Sequence, residues 1–162
     1  MSKLNNNLKS IYKFSGYVAA FFLILVAVFI LTGIASRIFG FYIRGLAEYS
    51  GYCMAASSFL ALAYTFGEKG HIRITLFLEK SNKNIRRYLE LWCLSVATFF
   101  SGFLSFYFLK MLLISFNFQE RSEGADEILI WIPQVSVALG STIFFICVFH
   151  NFILLILKKN NI

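Results

Sequence analysis

From Phe14 to Ser36 the chain runs 23 residues without an Asp, Glu, Lys or Arg. A helix of about 20 predominantly apolar residues crosses a hydrocarbon core roughly 30 Å thick, so this block alone is long enough to span a bilayer. Three more apolar blocks follow, and they set expected spans at about 14–36, 49–66, 88–116 and 131–157. The second is the shortest and is rich in small residues. Lipid offers the backbone no hydrogen-bonding partner, so spans of this length are helices rather than open sheet. The expected fold class is therefore an all-α integral membrane protein, a single domain over residues 1–162 with four transmembrane helices. Composition agrees: 59% of residues are hydrophobic and 14% charged, against about 25% charged in soluble domains.

A formal net charge of +7 raises the question of nucleic acid, and the distribution of charge answers it. Eleven basic residues lie on one side of the expected spans: Lys3, Lys9, Lys13, Lys69, Arg73, Lys80, Lys83, Arg86, Arg87, Lys158 and Lys159. The other side holds four, Arg37, Arg44, Lys110 and Arg121, together with Glu48, Glu120, Glu123, Asp126 and Glu127. This positive-inside asymmetry predicts that both termini and the 67–87 loop are cytoplasmic. The first span exceeds the usual apolar core of a signal peptide and no A-x-A-like site follows it, so it is read as uncleaved. For residues 1–13, whose apolar residues approximate one helical face, a short interfacial helix and a frayed tail both fit.

Small residues recur four apart in three spans: Ala47, Gly51 and Ala55, with Ser57 and Ala61; Ala97, Ser101 and Ser105; Ser136 and Gly140. In lipid such residues allow close backbone approach. They serve either to close the helices on one another or to seat another subunit. Span four has a marked start: Asp126 and Glu127 suit the positive end of a helix dipole, Pro133 fits a first helical turn, and Trp131 is an interfacial anchor. Span three opens with Ser81 or Asn82 as a cap and with Arg86 and Arg87 facing Glu90 one turn on.

Several function classes lose support. Cys53, Cys93 and Cys147 fall in different spans without metal spacing, and are read as small buried hydrophobes. A proton-coupled exporter needs an ionisable group inside the membrane, yet the first span has none. Lys110 and His150 lie close enough to helix ends to snorkel, outward and inward respectively. His71 lacks a second metal ligand nearby, Gly67 and Gly70 do not form a phosphate loop, and no nucleophile stands beside a base. No cofactor is implied.

The segment GEKGHIRITLFLEK, residues 67–80, joins spans two and three. Its glycines end span two, its basic groups suit an anionic headgroup layer, and Ile72, Ile74, Leu76, Phe77 and Leu78 can enter the interface. A short amphipathic surface segment is expected here, with Thr75 as cap. The order Gly70-His71-Ile72-Arg73-Ile74, then Leu76 to Glu79, then Ile85-Arg86-Arg87-Tyr88-Leu89-Glu90-Leu91 resembles the small membrane subunit of tripartite ATP-independent periplasmic (TRAP) transporters, the DctQ type. Arg37, Gly40, Glu48, Trp131-Ile132-Pro133 and Gly140 extend the likeness over most of the chain. Thr75 departs from it, standing where that family usually has Asp. So does the 80–84 loop, which lacks the proline often seen there. Ile132-Pro133-Gln134 only approximates the aromatic-rich approach to span four.

The resemblance implies a non-catalytic subunit of a sodium-driven carrier in the bacterial inner membrane. A periplasmic binding protein would deliver a carboxylate-type solute to a large polytopic subunit, and this chain would enlarge that subunit's scaffold. Residues expected to set depth and subunit contacts are Arg37, Glu48, Gly70, His71, Arg73, Arg86, Arg87, Glu90, Trp131, Pro133 and Gly140. Glu120, Glu123, Asp126 and Glu127 are expected to meet the binding protein. Two other readings compete: a stand-alone four-helix transporter, and a haem-bearing respiratory anchor using His71 and His150.

Overall fold

The computed structural model describes residues 2–67, 83–124 and 127–157, and these fold into four helices. Helix α1 runs Ser2–Ile38, α2 Leu46–Gly67, α3 Lys83–Phe118 and α4 Trp131–Leu157. The expected spans all lie inside helices. Residues from Ser2 onward join the first span as one continuous helix, so no break separates an interfacial segment from the membrane segment. Gly67 ends α2, as its sequence suggests. Gly70, His71, Arg73, the Ser81 or Asn82 cap, the surface segment around Leu76–Lys80, and Asp126 lie outside the described residues.

Three helices, α1, α3 and α4, are long and apolar enough to cross a membrane. Helix α2, with 22 residues, has the length, but Glu48 and its many small and hydroxyl residues leave it less apolar. Packing runs α1–α2–α4–α3, with only a short meeting of α1 and α4. The assembly is thus an arc with α1 and α3 at its edges, and α2 reaches α3 through the Phe59–Phe108 ring pair, 5.2 Å between centroids.

The interior reverses the size order of a soluble core. Among the described residues the largest fully buried side chains are Val148, Cys147, Ser115 and Ser141, while rings such as Phe99, Phe103 and Phe106 are exposed. The buried polar residues among those described are seven serines, and each hydroxyl is hydrogen-bonded. In lipid there is little hydrophobic gain from burying a large side chain, so close backbone approach and satisfied polar groups hold helices together.

Each pairing has its own device. Between α1 and α2, Ser15 donates to the Leu60 carbonyl at 2.6 Å and Ser57 donates back to the Ala19 carbonyl at 2.9 Å. Between α2 and α4, a Cβ added to Gly140 would stand 2.7 Å from the Phe59 carbonyl carbon, so only glycine permits this approach. Between α4 and α3, the Ser105 and Thr142 hydroxyls are 3.1 Å apart, and Phe116 meets Trp131 edge-on at 5.5 Å. The small-residue seams of spans three and four therefore close the chain on itself. The Ala47–Gly51 part of the α2 seam does not: both residues are exposed, and a Cβ on Gly51 would meet nothing within 4 Å.

Both helix ends at the α1–α2 and α3–α4 links close in the same way. At α1, Phe41 N–H reaches the Ser36 carbonyl at 3.0 Å and Gly40 N–H reaches that of Arg37 at 3.3 Å, with Gly40 at φ 78°. This pair of hydrogen bonds around a left-handed residue satisfies carbonyls that a helix end leaves open. At α3, Glu120 and Gln119 repeat it with Ser115 and Phe116, and Gln119 takes φ 49°. A Cβ in that region is strained, and the Gln119 side chain offsets this by donating to the Phe116 carbonyl at 2.7 Å.

Candidate interaction surface

The candidate residues separate toward the two ends of the helical array. At one end stand the C-termini of α1 and α3 and the N-termini of α2 and α4. Arg37 is exposed in the last turn of α1 and Glu48 is half-buried in the first turn of α2. Each complements its helix dipole, a cation at the C-terminus and an anion at the N-terminus. Trp131 opens α4, and Pro133 sits in its first turn, where its missing N–H is no loss. Trp131 Nε1 and Gln134 Oε1 are buried there with no hydrogen-bond partner among the described residues.

The α3–α4 link is tied down at this end. Ser122 N–H bonds the Ile128 carbonyl at 2.7 Å and Ile130 N–H that of Glu120 at 3.0 Å, making a small hairpin around the Arg121–Leu129 bridge. Helix α2 holds the hairpin twice. The Tyr52 and Ser122 hydroxyls lie 2.9 Å apart, and the Glu48 carboxylate occupies the space where a Gly124 side chain would stand. Glu48, expected to mark depth, thus also clamps a loop within its own chain.

Two of the expected binding-protein contacts have partners inside the hairpin region. Glu120 accepts from Ser115 Oγ at 2.7 Å, and Glu127 stands 3.8 Å from the Arg121 guanidinium. Both remain exposed, so the Arg121–Glu127 pair contributes about 1 kcal/mol at most. Glu123 is exposed at the turn.

At the other end, Arg87 and Glu90 lie half-buried near the start of α3. The Arg86 side chain is outside the described residues, like Gly70, His71 and Arg73. Tyr12, Ala63 and Cys147 form a buried cluster between α1, α2 and α4. The Cys147 thiol points to the Ala63 carbonyl at 3.6 Å, and Asn151 donates to the Cys147 carbonyl at 2.8 Å. His150 is half-buried on α4 beside it. Gly140, the remaining candidate, is interior to α4 and serves the packing of α2 rather than an outside surface.

Sequence reasoning missed three features: the reciprocal Ser15–Ser57 clasp, the Tyr52–Ser122 link and the Tyr12–Cys147 cluster. A signal existed for the first, because Ser15 and Ala19 stand four apart in span one just as the small residues of the other spans do. The other two join residues distant in sequence through side chains with no distinctive spacing. The reading of the cysteines needs correction. Cys147 is fully buried, Cys53 is half-buried and Cys93 is exposed, because α3 is an edge helix with its long packing surface on α4 alone.

The chain covers little of its own apolar surface. Only 6%, 17% and 22% of the apolar windows of α1, α3 and α4 are buried within it. Among the described residues, no group of three or more His, Cys, Asp or Glu side chains could hold a metal ion. What the arrangement offers is extended helix surface rather than a reaction centre.

Comparison with known proteins locates that surface in a family. The family model for the DctQ component of tripartite ATP-independent periplasmic transporters matches residues 25–158, a stretch that takes in the second half of the first span and all of α2, α3 and α4. A search of curated proteins found no match.

Proposed function

The chain belongs to the DctQ family of tripartite ATP-independent periplasmic transporter components, and from that premise we propose that it is the stationary small subunit of a sodium-driven uptake system. It is a transporter component, not an enzyme. In this reading α2 crosses the bilayer together with α1, α3 and α4, giving four spans in the inner membrane with both termini cytoplasmic. The excess of basic residues on the side of the termini and the 67–87 loop supports that orientation.

The observation that carries the proposal is the inversion of the core. Small residues and hydrogen-bonded serines lie inside, and large rings face outward. Such a chain presents broad helix faces to lipid and to a second membrane protein. A large polytopic subunit packs against these faces and moves the solute, of carboxylate type. The Glu48-clamped hairpin, with Glu123 at its turn, faces the periplasm and helps receive the binding protein.

Affinity purification of the tagged chain from mild detergent tests this. A much larger polytopic membrane protein co-purifies, and sodium-dependent uptake in vesicles needs both chains plus the binding protein. A chain that purifies alone and transports alone would sink the proposal. Reversing Glu120, Glu123 and Glu127 is expected to weaken binding-protein docking, with a smaller effect at high salt.

A further inference from the structure

The two edge helices of the arc differ in one respect. The outer face of α1 is free of charge from Phe14 to Ser36, and lipid covers such a face without penalty. Helix α3 packs on α4 through a row including Ser101 and Ser105. Directly opposite that row, at alternating spacings of four and three, stand Phe99, Phe103, Phe106, Lys110, Leu113 and Asn117, every one of them exposed. Any one face of a helix repeats in this way, and among the exposed rows of α3 this is the one with a cation in its middle.

Lys110 is poorly placed to reach water or headgroups. The Phe116–Trp131 ring contact puts Phe116 at the depth of the interfacial tryptophan, and Lys110 lies six residues further in, about 9 Å along the axis. In any α-helix the Cα–Cβ bonds tilt toward the N-terminus. For Lys110, near the C-terminal end of α3, this direction leads toward the bilayer centre and away from the nearer surface. The outward snorkelling expected of it therefore runs against its own helix.

We propose that this face of α3 is where the large transport subunit packs, and that a helix of that subunit presents a carboxylate to Lys110. The inference rests on the functional reading above and adds to it the face and the charge that join the subunits. A cation inside a membrane pairs with an opposite charge or with carbonyls. Among the described residues no carboxylate pairs with Lys110, whereas a facing carboxylate would neutralise the cation and set the register of the two helices.

The test uses the co-expressed complex. A benzoylphenylalanine photocrosslinker replaces Phe106 or Leu113 on α3, and Leu23 or Leu31 on the outer face of α1. Positions 106 and 113 are expected to crosslink to the larger membrane protein, and positions 23 and 31 to lipid. Lys110→Glu is expected to lower recovery of the larger protein about tenfold, as for a central interface residue, while Lys110→Arg keeps it.

Crosslinks from 106 and 113 to lipid alone, or to a second copy of this chain, would overturn the inference. So would wild-type recovery with Lys110→Glu. In each case co-purification of the unmodified chain would leave the functional reading standing. If the unmodified chain recovers no larger membrane protein, the functional reading fails, and this inference fails with it.

Discussion

Gly140 of α4 lies against the backbone of Phe59 of α2, so close that an added Cβ would stand 2.7 Å from the Phe59 carbonyl carbon and 2.9 Å from the Leu60 nitrogen. Backbone cannot swing aside as a side-chain tip can. Gly140→Ala is therefore expected to push α2 and α4 apart and to destabilise the fold by about 1–3 kcal/mol, the usual cost of overpacking. Gly51→Ala, where nothing stands within 4 Å, is expected to stabilise by up to about 0.5–1 kcal/mol, because an interior helical glycine is entropically costly. Unfolding in mild detergent measures both, and equal signs would contradict the packing described.

The Ser15–Leu60 and Ser57–Ala19 bonds cross α1 and α2 in opposite directions within one turn of each other. Ser15→Ala and Ser57→Ala are each expected to cost about 0.6 kcal/mol, and at most about 1.7, as for other hydrogen bonds between membrane helices. Because the two bonds share a contact, the double variant should depart from additivity. A double-mutant cycle on unfolding free energies checks this.

The Tyr52–Ser122 hydroxyl pair and the Glu48 carboxylate hold the α3–α4 hairpin on α2. Tyr52→Phe removes one hydrogen bond, worth about 1 kcal/mol, and should speed amide exchange at Ser122 and Ile130 about fivefold through easier local opening. Glu48→Gln is expected to act on the same amides and to leave those of α4 beyond its first turns unchanged. Hydrogen exchange read by mass spectrometry distinguishes this local release from a global loss of stability.

Cys93 is exposed and Cys147 is fully buried. In the folded chain in mild detergent, Cys93 is expected to react with a small maleimide at least about tenfold faster than Cys147, since only an accessible thiol can be attacked. Unfolding should bring the two rates together. Peptide mapping after timed labelling gives both rates, and early labelling of Cys147 would contradict its place between Tyr12 and Ala63.

Helix positions were legible in the sequence because lipid imposes a length requirement that few chemical details can hide. The Trp131–Leu157 helix begins and ends where its apolar run does, with Trp131 and Pro133 marking the start. Gly67 ends α2 as its place before the charged segment suggests. The C-terminal cap of α3 was not legible, since Gln119 takes a backbone conformation normally left to glycine, held by the Ser115–Glu120 backbone bond and by its own side-chain bond to Phe116. Nor was the second role of Glu48: its position in a first helical turn explained it fully until Gly124 was seen beneath it. The His71–Arg73 stretch, the strongest sequence marker of the family, lies outside the described residues, and its contribution to subunit contacts stays with the proposal.

By itself the sequence determined that this is a helical membrane protein, where its apolar helical segments lie, and that it resembles the DctQ family. Run length, charge asymmetry and local motifs are properties of one dimension. Only the tertiary structure decided which way each helix faces. In water an amphipathic pattern reveals the buried face, but a helix that is apolar all round carries no such label, because lipid solvates every side nearly alike. The choice falls to contacts between residues far apart in the chain. Gly140 reaches Phe59, Ser105 reaches Thr142, and Gly51, of the same residue type as Gly140, is left facing outward.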